Sequence, residues 1–277
     1  MSDEPAARTG RMRDLPARIG TAIVFVAVIL GVLFFGRELG WAILVSTIAV
    51  LCLREFYSLT RETRLLPNEI LGLAAAAAMP LAALFFGKLG LLTVVTIFVV
   101  AALGWYVAFR QVPLADTAVT VLGVMYVAFG LTHLVLIRGL DAGALLVLTV
   151  LLSVWAADVG AYFVGSLIGR HKLAPSISPG KSWEGFAGGI LGSVLVWSAA
   201  YQIADTGLGF AWHIGIGVAA AVAGLFGDLL ESRIKREVGV KDSSNVLPGH
   251  GGFLDRFDSL IVVAVVAYYL LAWSGAS

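Results

Sequence analysis

Apolar runs long enough to cross a bilayer follow one another along almost the whole chain. A spanning helix needs about 20 mostly apolar residues. Nine such runs can be marked, at roughly 19–36, 40–59, 69–87, 89–109, 115–137, 142–169, 184–204, 209–231 and 255–274. The expectation is an all-α, polytopic membrane protein with about nine transmembrane helices. Of the 277 residues, 59% are hydrophobic and 13% charged, against about 25% charged in soluble domains. A soluble protein would need polar faces to cover so many apolar helices, and the chain has none wide enough.

The net charge of +1 conceals an asymmetry. Under nine spans, sixteen of the nineteen basic residues fall on one side: Arg8, Arg11, Arg13 and Arg18 in the tail, Arg54, Arg61, Arg64 and Arg110 further on, Arg170, Lys172 and Lys181 in the sixth connector, and Arg233, Lys235, Arg236, Lys241 and Arg256 around the eighth. Only Arg37, Lys88 and Arg138 fall on the other. Basic connectors stay in the cytoplasm, so a bacterial-type inner membrane protein is expected, with its N-terminus cytoplasmic and its C-terminus outside. Trp41, Trp105, Trp183, Trp212 and Trp273 lie near expected span ends, where amphipathic rings favour the interface. No convincing small-residue cleavage site follows the first run, so it reads as an uncleaved helix. Cys52 is the single cysteine, which excludes an intramolecular disulfide and a cysteine-rich metal site.

Function should lie in the second half. Residues 1–140 read as a scaffold of five apolar helices, and 141–277 as a catalytic region of four helices with cytoplasmic loops at 170–183 and 232–254. Asp158 sits well inside the sixth run, where an ionised carboxylate is costly unless it faces a polar cavity or a partner. Gly165 with Gly169, and Gly188 with Gly192, have the spacing that lets helices approach closely; such small-residue faces would also allow a homodimer.

The sixth connector holds Pro175, Pro179 and Gly180, which forbid a continuous helix. Its amides and hydroxyls, with Lys172 and Lys181 nearby, suit phosphate oxygens, while Ser182 could equally cap the seventh span. In the eighth connector nine of the 27 residues from Ser232 to Asp258 are charged. Basic residues alone could face anionic headgroups, but that leaves the interleaved acids unexplained. Asp255 and Asp258 are three apart and share a helix face, as do Asp228 and Glu231, with Ser232 four after Asp228. Paired carboxylates of this kind form half of a divalent-cation site. Asp255 alone could also cap the ninth span. Gly249, His250, Gly251 and Gly252 precede these acids and suit an anion at a helix N-terminus.

Ser232, Lys235-Arg236, Lys241-Asp242, Ser244, Leu247-Pro248, His250-Gly251-Gly252, Asp255-Arg256 and Asp258, in this order and spacing, resemble the phosphatidate cytidylyltransferase family. A second stretch is similar to the same family: Asp158, Gly160-Ala161-Tyr162-Phe163, Gly165, Gly169, Lys172-Leu173, Ser178-Pro179, Lys181-Ser182 and Glu184-Gly185. The two stretches cover about a third of the chain; the first 140 residues resemble the family only in being apolar helices.

The resemblance implies an enzyme that joins the phosphate of phosphatidic acid to the α-phosphorus of CTP, giving CDP-diacylglycerol and pyrophosphate. Since the lipid phosphate is itself the nucleophile, the protein must supply alignment and positive charge. The resemblance further implies Mg2+, with room for a second cation, on Asp228, Asp255 and Asp258, and with Glu231 beside them. Lys235, Arg236, Lys241 and His250 join the three aspartates as catalytic candidates. Lys172, Ser178, Lys181, Ser182, Glu184, Ser232, Asp242, Gly251, Gly252, Arg256 and Asp158 are the substrate-binding candidates. The partners implied are CTP, phosphatidic acid and the lipid bilayer, with no nucleic acid. A membrane kinase or sugar-phosphate transferase would also need acids and Mg2+ at this face. A transporter would place its ionisable groups near the bilayer midplane, where only Asp158 is expected.

Overall fold

The structure, a computed structural model, describes residues 15–203, 207–240, 243–244 and 251–275. Lys241, Asp242 and His250 lie outside the described residues, as do Leu247, Pro248 and Gly249 of the family pattern.

Helix α1 (Leu15–Phe35) runs into α2 (Arg37–Glu62) after a bend at Gly36. Asn68 caps α3 (Glu69–Ala108) by accepting a hydrogen bond from the Leu71 amide at 3.1 Å. This 40-residue element is not straight. Gly87 takes φ 58 and ψ −143, a conformation open to glycine, and a side chain at Gly90 would run into the carbonyl of Ala82. Eight residues span about 12 Å along a straight helix, so the chain doubles back at Gly87 and α3 holds the third and fourth expected runs as two arms.

The fifth run is α4 (Leu114–Gly123), a π-helical turn at Val124–Ala128, and α5 (Phe129–Arg138). Together they make a largely buried span. Tyr57 Oη donates to the Thr120 carbonyl at 2.8 Å and Trp41 Nε1 to the Leu134 carbonyl at 3.1 Å, which fixes α2 against it. The second half consists of α6 (Gly143–Ile168), α7 (Trp183–Ile203), α8 (Phe210–Val238) and α9 (Leu254–Trp273). Helix α8 stops at Gly239 (φ 80), where the Val240 amide reaches the Lys235 carbonyl at 2.9 Å, the six-to-one bond of a Schellman end.

Among the described residues seven helices are long and apolar enough to cross a membrane. The two arms of α3 count as one of the seven, and the described apolar part of α1 is the shorter Ile23–Phe35. Large apolar side chains such as Phe85, Leu92, Val107, Leu167, Ile203 and Phe226 cover the outside, a surface suited to lipid. The core lies where α2, α5 and α9 meet, around Leu53, Phe56, Leu131, Leu254 and Ile261. The all-α expectation needs one addition: β1 (Lys172–Ala174) and β2 (Ser178–Ser182) pair antiparallel in the sixth connector, Lys172 opposite Ser182 and Ala174 opposite Ser178.

The small-residue stripes are used inside the chain. Gly188 lies against Gly160 and Val164, and Gly192 against the Ala156 carbonyl, so α6 and α7 touch along their backbones. The faces that could have served a homodimer are thus partly consumed by this internal contact.

Candidate active site

Helices α6, α7 and α8 enclose a cavity of about 510 Å3. Most of its wall is apolar, including Val154, Ala161, Phe186 and Leu225, while Asp158, Lys181, Ser182 and Asp228 supply polar groups. Asp158 therefore faces a cavity, the setting that makes an acid tolerable within an apolar run.

The hairpin delivers Lys181 to this cavity. Its ammonium lies 2.5 Å from Asp228 Oδ2, and Ser232 Oγ donates to Asp228 Oδ1 at 3.2 Å. Asp228 and Ser232, four apart on α8, share the face their spacing predicts. The sixth connector and the end of α8 accordingly meet at one end of the helices.

Lys235 is the second junction. Its ammonium lies 2.6 Å from Glu231 Oε2, one turn earlier on α8, and 2.7 Å from Asp255 Oδ1 at the start of α9. All three side chains are nearly buried, where each charge depends on its partners. Asp255 also accepts from the Ser243 amide at 3.1 Å and the Gly252 amide at 2.8 Å. It therefore caps α9 in the manner of a capping box, reaching back three residues, as well as holding Lys235.

Asp258, one turn along α9, lies within electrostatic range of Asp228 and Asp158, and Glu231 is within range of Asp258. Lys181 and Arg256 are within electrostatic range of Asp158. Gly227 permits this approach: a side chain there would strike the Asp258 carbonyl, so α8 and α9 meet backbone to backbone. The buried Glu231 Oε1 has no hydrogen-bond partner among the described residues, which suits a cation or a proton. The donor set is all oxygen, matching a hard ion such as Mg2+. Among the described residues no three of these groups are spaced as a ready-made metal site; lysines neutralise Asp228, Glu231 and Asp255 instead.

Other candidates lie elsewhere. Glu184 accepts from the Arg170 and His171 amides at 3.1 and 3.2 Å and pairs with His171 Nδ1 at 2.6 Å, so its carboxylate secures the hairpin's base. Ser182 lines the cavity and also caps α7, accepting from the Gly185 amide at 3.1 Å. Lys172 is exposed on β1, and Ser178 sits opposite Ala174 on β2. Arg236 is exposed and donates to the Val240 carbonyl at 3.3 Å. Gly251 has φ 76, and a side chain at Gly252 would collide with Ser243 and Glu55. Both glycines therefore answer a backbone requirement.

Two groups from the expected scaffold reach this region. Glu55 of α2 is 6% exposed and hydrogen-bonds Ser243, Ser244 and Leu254. Tyr126, in the π-helical turn, has a buried hydroxyl without a hydrogen-bond partner among the described residues, within electrostatic range of Asp228, Glu231 and Asp258. The rule that singles out Asp158, an acid inside an apolar run, also finds Glu55.

Fold and site together define a multi-pass α-helical membrane protein with a cluster of acids and bases beside a cavity at one end of its helices. Residues 16–274 match the profile of the cytidylyltransferase family, and the chain belongs to that family. It is 41% identical over 152 residues to a phosphatidate cytidylyltransferase of Bacillus subtilis (strain 168), covering 54% of this chain and 56% of that protein. Identity to the phosphatidate cytidylyltransferase of Staphylococcus aureus (strain COL) is 41% over 159 residues, covering 57% of this chain and 60% of that protein. The matched region thus spans under two thirds of these relatives' length.

Proposed function

We propose that this chain is a CTP:phosphatidate cytidylyltransferase, making CDP-diacylglycerol and pyrophosphate for phospholipid synthesis. The observation that carries the reading is the cavity, in which Lys181, Asp228 and Asp158 meet a wall that is mostly apolar. Such a site suits a ligand with a phosphate at one end and hydrocarbon at the other. The activity for which the relatives are named and the family match point the same way.

In the reaction a phosphate oxygen of phosphatidic acid attacks the α-phosphorus of CTP. One P–O bond forms as the bond to pyrophosphate breaks, and no protein nucleophile takes part. Lys181 would contact a phosphate oxygen at the cavity, and Lys235, Arg236, Lys241 and Arg256 would offset charge on the triphosphate or pyrophosphate. His250 would donate a hydrogen bond to a phosphate oxygen, and Asp242 would orient a lysine. Ser182 and Ser232 offer hydroxyls beside Lys181 and Asp228. Mg2+, when bound, supplies positive charge shared among phosphate oxygens. Asp228, Asp255, Asp258 and Glu231 are the residues that would hold it, with substrate oxygens completing a shell the protein alone does not build.

In this reading the acid-rich end is cytoplasmic, the N-terminus lies on that side of a bacterial inner membrane and the C-terminus lies outside, which matches CTP supplied from the cytosol. The test is to incubate purified protein with CTP radiolabelled in its cytidine, phosphatidic acid and Mg2+ and extract with organic solvent. Label in a lipid product is expected. No label, or label in a prenol supplied with CTP labelled in its γ-phosphate, overturns the reading.

A further inference from the structure

We infer that Glu55, in the second span, is a positioning residue that sets the start of α9 and with it Asp255. One carboxylate joins Ser243 and Ser244 to the first residue of α9. Glu55 Oε2 accepts from Ser243 Oγ at 3.0 Å and from the Leu254 amide at 2.8 Å, and Oε1 accepts from Ser244 Oγ at 2.7 Å. The donors are 188 to 199 residues away in sequence.

The Leu254 amide is an N-terminal amide of α9, which the helix itself leaves unpaired, and Leu254 is completely buried. A carboxylate there satisfies the amide and suits the positive end of the helix. The next residue, Asp255, accepts from the Ser243 and Gly252 amides, so the residues that Glu55 holds are those that shape the Asp255 site. Gly252 has no room for a side chain because Glu55 and Ser243 occupy that place. A carboxylate buried among three neutral donors is costly where apolar packing would suffice; its return here is a fixed geometry for a charged site.

The inference rests on the proposed activity only for its kinetic arm. In detergent-solubilised full-length protein, Glu55→Ala should raise hydrogen exchange at the Gly252–Leu254 amides at least tenfold, with exchange in α6 and α7 unchanged. Its kcat for lipid labelling should fall about a hundredfold. Glu55→Gln should recover to within about tenfold of wild type, because the amide oxygen still accepts from Leu254 and a serine hydroxyl can accept from the amide nitrogen. Ser243→Ala/Ser244→Ala, which leaves α2 intact, should lower kcat about tenfold and add nothing to Glu55→Ala. It should also raise the same exchange about threefold, and it carries the test alone if Glu55→Ala does not fold. Unchanged exchange at these amides overturns the inference, as does strict additivity of the two changes. If wild-type protein labels no lipid, the proposed activity fails, while the exchange measurement still decides the role of Glu55.

Discussion

The Lys181 ammonium lies 2.5 Å from the Asp228 carboxylate, joining the β-hairpin after α6 to the last turns of α8. Through this pair the hairpin's charge reaches the cavity, and the Lys181 nitrogen itself is buried. Removing the cation with Lys181→Met leaves Asp228 without its partner and should cost about 1–3 kcal/mol of stability. Labelling of lipid should fall about a hundredfold or more, because a charge aimed at phosphate oxygens is lost. Melting and kinetic assays on one preparation separate the two effects; a fall in melting temperature that accounts for the lost activity would make Lys181 merely structural.

Lys235 should behave differently. It neutralises two acids that are nearly inaccessible, Glu231 and Asp255, and is itself nearly buried. Lys235→Met leaves both carboxylates facing each other without a cation, which should destabilise the protein by about 3–5 kcal/mol. Adding Glu231→Gln should restore part of that loss by removing one stranded charge. Denaturation in detergent of the single and double variants checks this: equal stability of the two would show that the acids are solvated after all.

Much of this arrangement could be read from residue spacing, and the exceptions have physical reasons. Asp228 and Ser232 share a helix face because α8 is regular through them, so the four-residue rule held. Asp255 and Asp258 also sit one turn apart on α9, but Asp255 is drawn to Lys235 and the loop amides while Asp258 faces Asp228 and Asp158. Spacing along one helix gives no account of such competing partners. Glu184 occurs in the family-like stretch, yet its carboxylate holds the turn after α6. Glu55 is an acid within the second expected run, but its partners lie 188 to 199 residues away, and only the fold shows Ser243, Ser244 and Leu254 converging on it. The turn in α3 at Gly87 falls where the third and fourth expected runs divide, because Gly87 and the charged Lys88 interrupt the apolar sequence there.

The α6–α7 contact supplies a prediction about folding. An added methyl at Gly188 would sit 2.6 Å from Val164 Cβ and 2.7 Å from the Gly160 carbonyl oxygen, too close for either to accept without movement. Gly188→Ala should destabilise the protein by about 1–3 kcal/mol. Gly215, inside α8, has nothing within 4 Å of that position, so Gly215→Ala should be neutral or stabilising by up to about 1 kcal/mol through helix propensity. Thermal denaturation of both in one detergent is the check, and similar melting temperatures would argue against backbone contact between α6 and α7.

The acid cluster supplies the last prediction. Asp258 lies within range of Asp228, Asp158 and the Lys235 ammonium, and five acids (Asp158, Asp228, Glu231, Asp255 and Asp258) meet three cations (Lys181, Lys235 and Arg256), an excess of negative charge that a divalent ion would relieve. Asp258→Asn keeps the size of the side chain and removes that charge. The variant should remain folded, because its side-chain hydrogen bond is a local one to the Ser259 amide at 2.6 Å. Its kcat should fall about a hundredfold, and the Mg2+ concentration giving half-maximal rate should rise about tenfold, whereas wild type should lose all labelling in EDTA and regain it when Mg2+ is restored. If Asp258→Asn loses activity with an unaltered Mg2+ requirement, the residue orients substrate and the ion is held by Asp228, Asp255 and Glu231; near-normal activity removes Asp258 from the site altogether.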